Sequence, residues 1–285
     1  ERNISRAHCT LRKVGDTWQL DDDRAARFVV TSAMSETDST ELRFDSKVTL
    51  EHFETTLPEY PLEEYARTYP FLYANEDLPI LKCALDRHYP DTNVAKWALQ
   101  FLDPSDATDT MKILRAMTHG IREQFSYNRR AQKGVQTPEE TLLTGRGSCR
   151  DFAVLMMEAA RSLCIAARFV SGYIFVPDRS GLAGGGATHA WMQAYLPGAG
   201  WIDFDPTNSI IGNRNLIRVG VAWTPEHVLP LWGTYTGPAE AFLDMEVAVT
   251  VTVAGKVAVT VGVSVGCCWS IPASAMGKYR GACGS

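Results

Sequence analysis

The stretch Gly145-Arg146-Gly147-Ser148-Cys149-Arg150-Asp151-Phe152-Ala153 decides how this chain reads. Phe152, Leu155, Met156, Ala159 and Leu163 recur at helical spacing after it, which predicts a helix that starts at or near Cys149. A helix N-terminus carries partial positive charge, and that charge favours the thiolate form a cysteine needs to attack a carbonyl. Gly145 and Gly147 let the backbone approach a substrate closely. A lone cysteine of this kind is also what a buried structural thiol looks like, so partners must be sought downstream.

Two partners lie there. His189 stands in Thr188-His189-Ala190-Trp191, on an expected strand that follows the glycine loop 181–186. Asp205 stands in Trp201-Ile202-Asp203-Phe204-Asp205-Pro206-Thr207, at a strand end closed by proline. Cys149 then reads as a nucleophile, His189 as the base that takes its proton, and Asp205 as the carboxylate that orients the imidazole. Asp203 shares the strand parity of Asp205 and is its rival.

Upstream, Thr137-Pro138-Glu139-Glu140 reads as a short helix start that ends near Gly145. Asp106 or Thr108 caps an earlier expected helix bearing Ile113, Leu114, Met117 and Ile121 on one face. Arg129, Arg130 and Lys133 form a basic group before the Cys149 helix. The plain reading is a solvated loop, and the sharper one is a subsite for acidic substrate groups.

Downstream of the Cys149 helix, Ala167 to Val176, Thr188 to Tyr195 and Trp201 to Phe204 read as strands. Near the N-terminus, Leu11 to Val14, Trp18 to Leu20, Arg27 to Thr31 and Glu41 to His52 do so too. A proline-rich connector follows, with helical pieces at Leu78 to Asp86 and Thr92 to Leu102. Near the C-terminus, Phe242 to Val253 and Val257 to Val265 alternate around Ala254-Gly255-Lys256, as a hairpin does. A membrane span over the same valines is the weaker reading. The expected layout is therefore a β-rich N-terminal domain with a helical linker over 1–103, a catalytic core with the C-terminal strands over 104–265, and a tail over 266–285.

The chain has 285 residues, 45 % of them hydrophobic and 21 % charged, which excludes disordered, collagen-like and coiled-coil classes. A formal net charge of -5 leaves no basic excess for a general grip on nucleic acid. The sequence contains neither an HExxH spacing nor a GxxxxGK[ST] loop, so no metal and no cofactor is expected. Seven cysteines with no CxxC pair read as mostly reduced thiols. Glu1 to Thr10 lacks the apolar run of a signal peptide, and with those thiols it gives the expectation of a cytoplasmic protein.

The nine residues from Gly145 to Ala153 resemble the nucleophile motif of the transglutaminase-like superfamily, in its bacterial cysteine-protease branch. His189-Ala190-Trp191 is similar to the family's histidine motif and Asp205-Pro206-Thr207 to its aspartate motif. Val219-Gly220-Val221-Ala222-Trp223 keeps part of the tract that follows, while Thr224-Pro225-Glu226-His227 departs from the Gly-Arg-Asp-Tyr often found there. The resemblance implies an α+β fold with a papain-like core, in which a nucleophile helix packs on an antiparallel sheet carrying His and Asp. It also implies acyl transfer through a thioester on peptide or protein amides.

Water as acceptor gives hydrolysis and an amine gives transglutamination; hydrolysis is the preferred expectation. Other amidase chemistry, such as action on cell-wall peptides, stays open. A non-catalytic interaction module on the same fold is the rival of a different class. The first oxyanion donor is the backbone N–H of Cys149. A second is expected from Gln124 or Tyr127, with Tyr127 favoured, and Trp191 is expected to shield the imidazole, shape the acyl pocket, or simply pack.

Overall fold

A computed structural model describes residues 9–14, 17–22, 27–30, 41–50, 59–103, 107–130, 132, 134–176, 183, 185, 187–213, 215–230, 242–254 and 256–267. These fall into two units, one drawn from 1–52, 185–188 and 229–285, the other from 53–184 and 189–228.

The first unit is built on a six-stranded antiparallel sheet. Its strands are β1 (Cys9–Val14), β2 (Thr17–Asp22), β3 (Arg27–Val30) and β4 (Glu41–Leu50). Two long C-terminal strands, Phe242–Ala254 and Lys256–Cys267, complete it. The valine-rich stretch forms the hairpin its alternation predicts, with Ala254 opposite Lys256. Lys256–Cys267 then pairs with β4, Val257 opposite Leu50 and Gly266 opposite Glu41. The C-terminal strands therefore join the N-terminal strands rather than the core to which the sequence reading attached them. Strand pairing across some 200 residues leaves no local signal, because alternation fixes a strand's faces and not its neighbour.

Among its described residues the second unit holds five α-helices: α1 (Leu78–Leu85), α2 (Thr92–Leu99), α3 (Thr110–Gln124), α4 (Pro138–Thr144) and α5 (Cys149–Ser162). Its sheet has β5 (Ala167–Ile174), β6 (His189–Leu196), β7 (Gly200–Asp205), β8 (Ile210–Ile211) and β9 (Leu216–Ala222). The strand order is β8-β7-β6-β5-β9, antiparallel throughout. The two linker helices α1 and α2 belong to this unit, since Val94, Trp97 and Ala98 are part of the main core with α5. The boundary read at 103 is displaced accordingly.

The caps explain where the helices start. Thr137 Oγ1 accepts from Glu140 N at 3.1 Å, Pro138 opens α4, and Gly145 ends it at φ 61°. Asp109 caps α3 by accepting from Lys112 N at 2.6 Å. Thr108, one of the two expected caps, instead accepts from Asp103 N at 2.7 Å, and Asp106 lies outside the described residues.

Helix α5 is the centre of the core, with 12 of its 14 residues buried. The periodic stripe marked one face, but Ala153 and Ala160 let neighbours close in on the others. Ala190, Met192, Ala194 and Leu196 of β6 join the α5 cluster, while Trp191 packs with Val170, Ile174 and Leu216 on the opposite face. The fit there is tight at Gly172, where an added Cβ would lie 2.1 Å from the Ile217 carbonyl oxygen and 2.8 Å from the Trp191 ring. Gly172→Ala is expected to destabilise the unit by about 2 kcal/mol, because backbone blocks the new methyl. A thermal melt unchanged from wild type would contradict this.

Candidate active site

Cys149 is the first residue of α5 and is 7 % exposed. His189 opens β6 and Asp205 closes β7, and both are fully packed. His189 Nε2 lies 2.8 Å from Asp205 Oδ2. That bond leaves Nδ1, which is buried and has no hydrogen-bond partner of good geometry. The Cys149 side chain is nonetheless close enough to act on the ring. Burial works against a charge on His189, but Asp205 first and then Cys149 outweigh it and push its pKa up to about 10. The imidazole is thus held by a carboxylate on one nitrogen, while the other is buried without a hydrogen-bond partner.

Asp205 is itself held from three sides. Besides His189, Thr207 N donates to Oδ1 at 2.9 Å and Asn208 Nδ2 to Oδ2 at 2.8 Å. Asp203, its rival on the same strand, accepts instead from Trp191 Nε1 at 2.6 Å and Gln193 Nε2 at 2.8 Å. Trp191 stacks on His189 with ring centroids 5.9 Å apart and planes at 29°. Asp203 therefore fixes the ring that covers the imidazole and does not contact the imidazole.

Residues 99–206 match the family model described as the transglutaminase-like superfamily. The core of this chain is a transglutaminase-like fold. That fold family includes cysteine proteases and transglutaminases. Protein ML0607 of Mycobacterium leprae, uncharacterized, is 41 % identical over 108 residues, 37 % of this chain and 38 % of that protein. The chain thus spans about two fifths of the length of that curated relative. Two solved structures are similar at lower identity. A cysteine-protease candidate from Cytophaga hutchinsonii is 23 % identical, with 57 % of this chain and 53 % of that chain covered and a TM-score of 0.45. The periplasmic domain of TgpA from Pseudomonas aeruginosa is 16 % identical, with 72 % and 83 % covered and a TM-score of 0.38. That structure is, by its own name, of a periplasmic domain, and the cytoplasmic expectation is withdrawn.

The transglutaminase-like core places the supporting residues unequally. Tyr127 pairs with Gly147 in a short parallel bridge, two residues before Cys149. Its phenol is half-buried, and burial first and the neighbouring Cys149 second raise its pKa. Gln124 ends α3 on an exposed face, its amide over Gly120, and no hydrogen bond among the described residues ties it to Cys149, His189 or Asp205. Of the two, only Tyr127 is brought to the cysteine.

Two features of the core were not read from the sequence. Asn208 binds both backbone groups of Ala183, accepting at 2.6 Å and donating at 3.1 Å, and its Nδ2 lies 3.5 Å from His189 Nε2. The Asp-Pro-Thr tract pointed at this turn without marking its fourth residue. Asp151, in the first turn of α5, is the other. It accepts from Ser148 N at 2.7 Å, Ser148 Oγ at 2.8 Å, Gln136 N at 2.7 Å and Arg130 Nη1 at 2.8 Å. The start of the Cys149 helix is thereby tied to the preceding loop.

Among the described residues no group of three His, Cys, Asp or Glu side chains is placed to hold a metal ion. No helix among them is long and apolar enough to cross a membrane.

Proposed function

We propose that this core is a cysteine-dependent acyl-transfer enzyme that cleaves amide bonds of peptides or proteins through a thioester. The observation that carries this reading is the buried His189, bonded to Asp205 through Nε2 and left with an unpartnered Nδ1 beside Cys149. A positively charged imidazole next to the thiol, at a helix N-terminus, favours the thiolate.

The steps follow from that pairing. The Cys149 sulfur attacks the carbonyl carbon, and the carbonyl π electrons move to oxygen. The N–H of Cys149, unpaired within the first helical turn, donates to that oxyanion, and the Tyr127 hydroxyl is the candidate second donor. The tetrahedral species collapses, the C–N bond breaks, and His189 passes its proton to the departing amine. The thioester remains. Neutral His189 then takes a proton from water, which adds to the thioester; C–S cleavage frees the carboxylic acid and restores the thiolate. Asp205 acts as a positioning residue by fixing the imidazole through Nε2.

Water is favoured over an amine as acceptor because no feature among the described residues of the core selects an amine. The test is covalent trapping. Protein incubated with an activated peptide ester at pH 6 and quenched in acid is expected to gain the mass of one acyl group on the Cys149 peptide. An adduct that survives in Cys149→Ala, or that never forms, would overturn the reading.

A further inference from the structure

We propose that Arg129 and Arg150 form a subsite beside Cys149 that binds a carboxylate of the substrate, so that the enzyme prefers acidic peptides. This rests on the acyl-transfer reading and names a substrate class for the same site.

The backbone brings both residues close to the cysteine. Ser126 N donates to Gly145 O and Asn128 N to Gly147 O, each at 2.8 Å. The segment up to Asn128 therefore runs alongside the two residues before Ser148-Cys149, and Arg129 follows directly. Arg150 is the neighbour of Cys149 in the first turn of α5, and its Nη2 donates to Arg130 O at 3.4 Å. That contact brings its guanidinium back over the same segment. The Tyr127 hydroxyl senses Cys149, Arg129, Arg150 and Asp205 together.

Their lack of a counter-charge separates these two arginines from others in the unit. Arg130, whose carbonyl accepts from Arg150, is neutralised by buried Asp151 at 2.8 Å. Arg161 is paired with Glu158 and Arg67 with Glu64. Arg129 and Arg150 have no ion pair among the described residues; Arg129 is exposed and Arg150 half-buried. Two guanidinium groups left without a counter-charge at the mouth of a thiol site attract an anion, and guanidinium geometry matches a carboxylate. The carboxylate in question lies on the substrate, close to the amide that Cys149 attacks.

The experiment compares two small alkylating agents that differ by one charge. Iodoacetate and iodoacetamide each lose iodide to a thiolate, and only iodoacetate is anionic. The probe is the ratio of their rate constants at Cys149, followed by peptide mass. Exposed Cys83 and Cys164 in the same molecule serve as references.

The ratio at Cys149 is expected to exceed the reference ratio and to fall about threefold in Arg129→Gln and in Arg150→Gln, the size of one exposed ion pair. It is also expected to approach the reference at about 1 M salt, where exposed charges are screened. Arg129→Lys, which keeps the charge, is expected to keep a ratio above that of Arg129→Gln. If Cys149 reacts fast with iodoacetamide but its ratio equals the references, or both Gln variants keep the wild-type ratio, the subsite is wrong and the acyl-transfer reading stands. If Cys149 reacts no faster than Cys83 with iodoacetamide, both fall.

Discussion

His189→Ala is expected to slow alkylation of Cys149 by iodoacetamide about 100-fold at pH 6. In the wild-type protein the imidazole, with its pKa pushed up to about 10, keeps its proton across the neutral range and stands as a cation beside the sulfur. Without it that cation is gone; an ordinary free thiol, with a pKa of about 8.5, is ionised in roughly one molecule in 300 at pH 6. The sign of the pH dependence follows. The histidine's advantage is full below neutrality and shrinks as pH passes the free thiol value, since the variant then ionises by itself. It is lost as pH rises through about 10, where His189 gives up its proton. Amide cleavage is expected to fall further, by about 10³-fold or more, because proton delivery to the leaving amine is lost as well. Rates followed by peptide mass from pH 5 to 9 decide the matter. Equal labelling of variant and wild type at pH 6 would end the imidazole–thiol account.

The second large effect concerns stability. Arg161→Ala is expected to destabilise the second unit by about 3–5 kcal/mol, the usual cost of leaving one member of a buried ion pair alone. Arg161 and Glu158 are fully buried, with Nη1 2.8 Å from Oε1. Arg161 also donates to the carbonyls of Ala84, Ala167 and Trp223 at 3.1, 3.0 and 2.8 Å. Glu158 accepts from the backbone N–H of Tyr89 at 3.1 Å. The pair thus joins α5 to the end of α1 and the segment after it, to the start of β5 and to the residue after β9. Denaturant unfolding of Arg161→Ala, Glu158→Ala and the double variant is the measurement. The double variant is expected to lose less than the sum of the singles, since neither leaves a lone buried charge when both are gone. Additive losses would mean that the two act separately.

What the sequence revealed follows from the range of each physical signal. The helix start at Cys149 was legible because glycines and apolar periodicity are local. So was the Thr137 cap with Pro138 behind it. Strand alternation put Asp203 and Asp205 on one face but could not say which would meet His189. That depends on the β6–β7 register, in which Gln193 lies opposite Asp203 and carries Asp203 away from the histidine. Glu158 and Arg161 stand three apart, the spacing of an ordinary surface pair, and only the burial of α5 on all sides makes them a core pair. Asn208 had no signal of its own. The pairing of Lys256–Cys267 with β4 was out of reach because it joins the two ends of the chain.

The loop before α4 also reads differently once Asp151 is in place. Arg130 and the backbone N–H of Gln136 converge on a single carboxylate oxygen at the start of α5. Surface loops ordinarily tolerate changes in length, because nothing holds both of their ends. Here both ends meet at one atom, so the chain between 130 and 136 is a clasp of fixed span. An added residue that bulges outward leaves the clasp shut. One that shifts either anchor opens it and loosens the turn that aims Cys149, so an insertion here is expected to be tolerated only where it leaves both anchors in place.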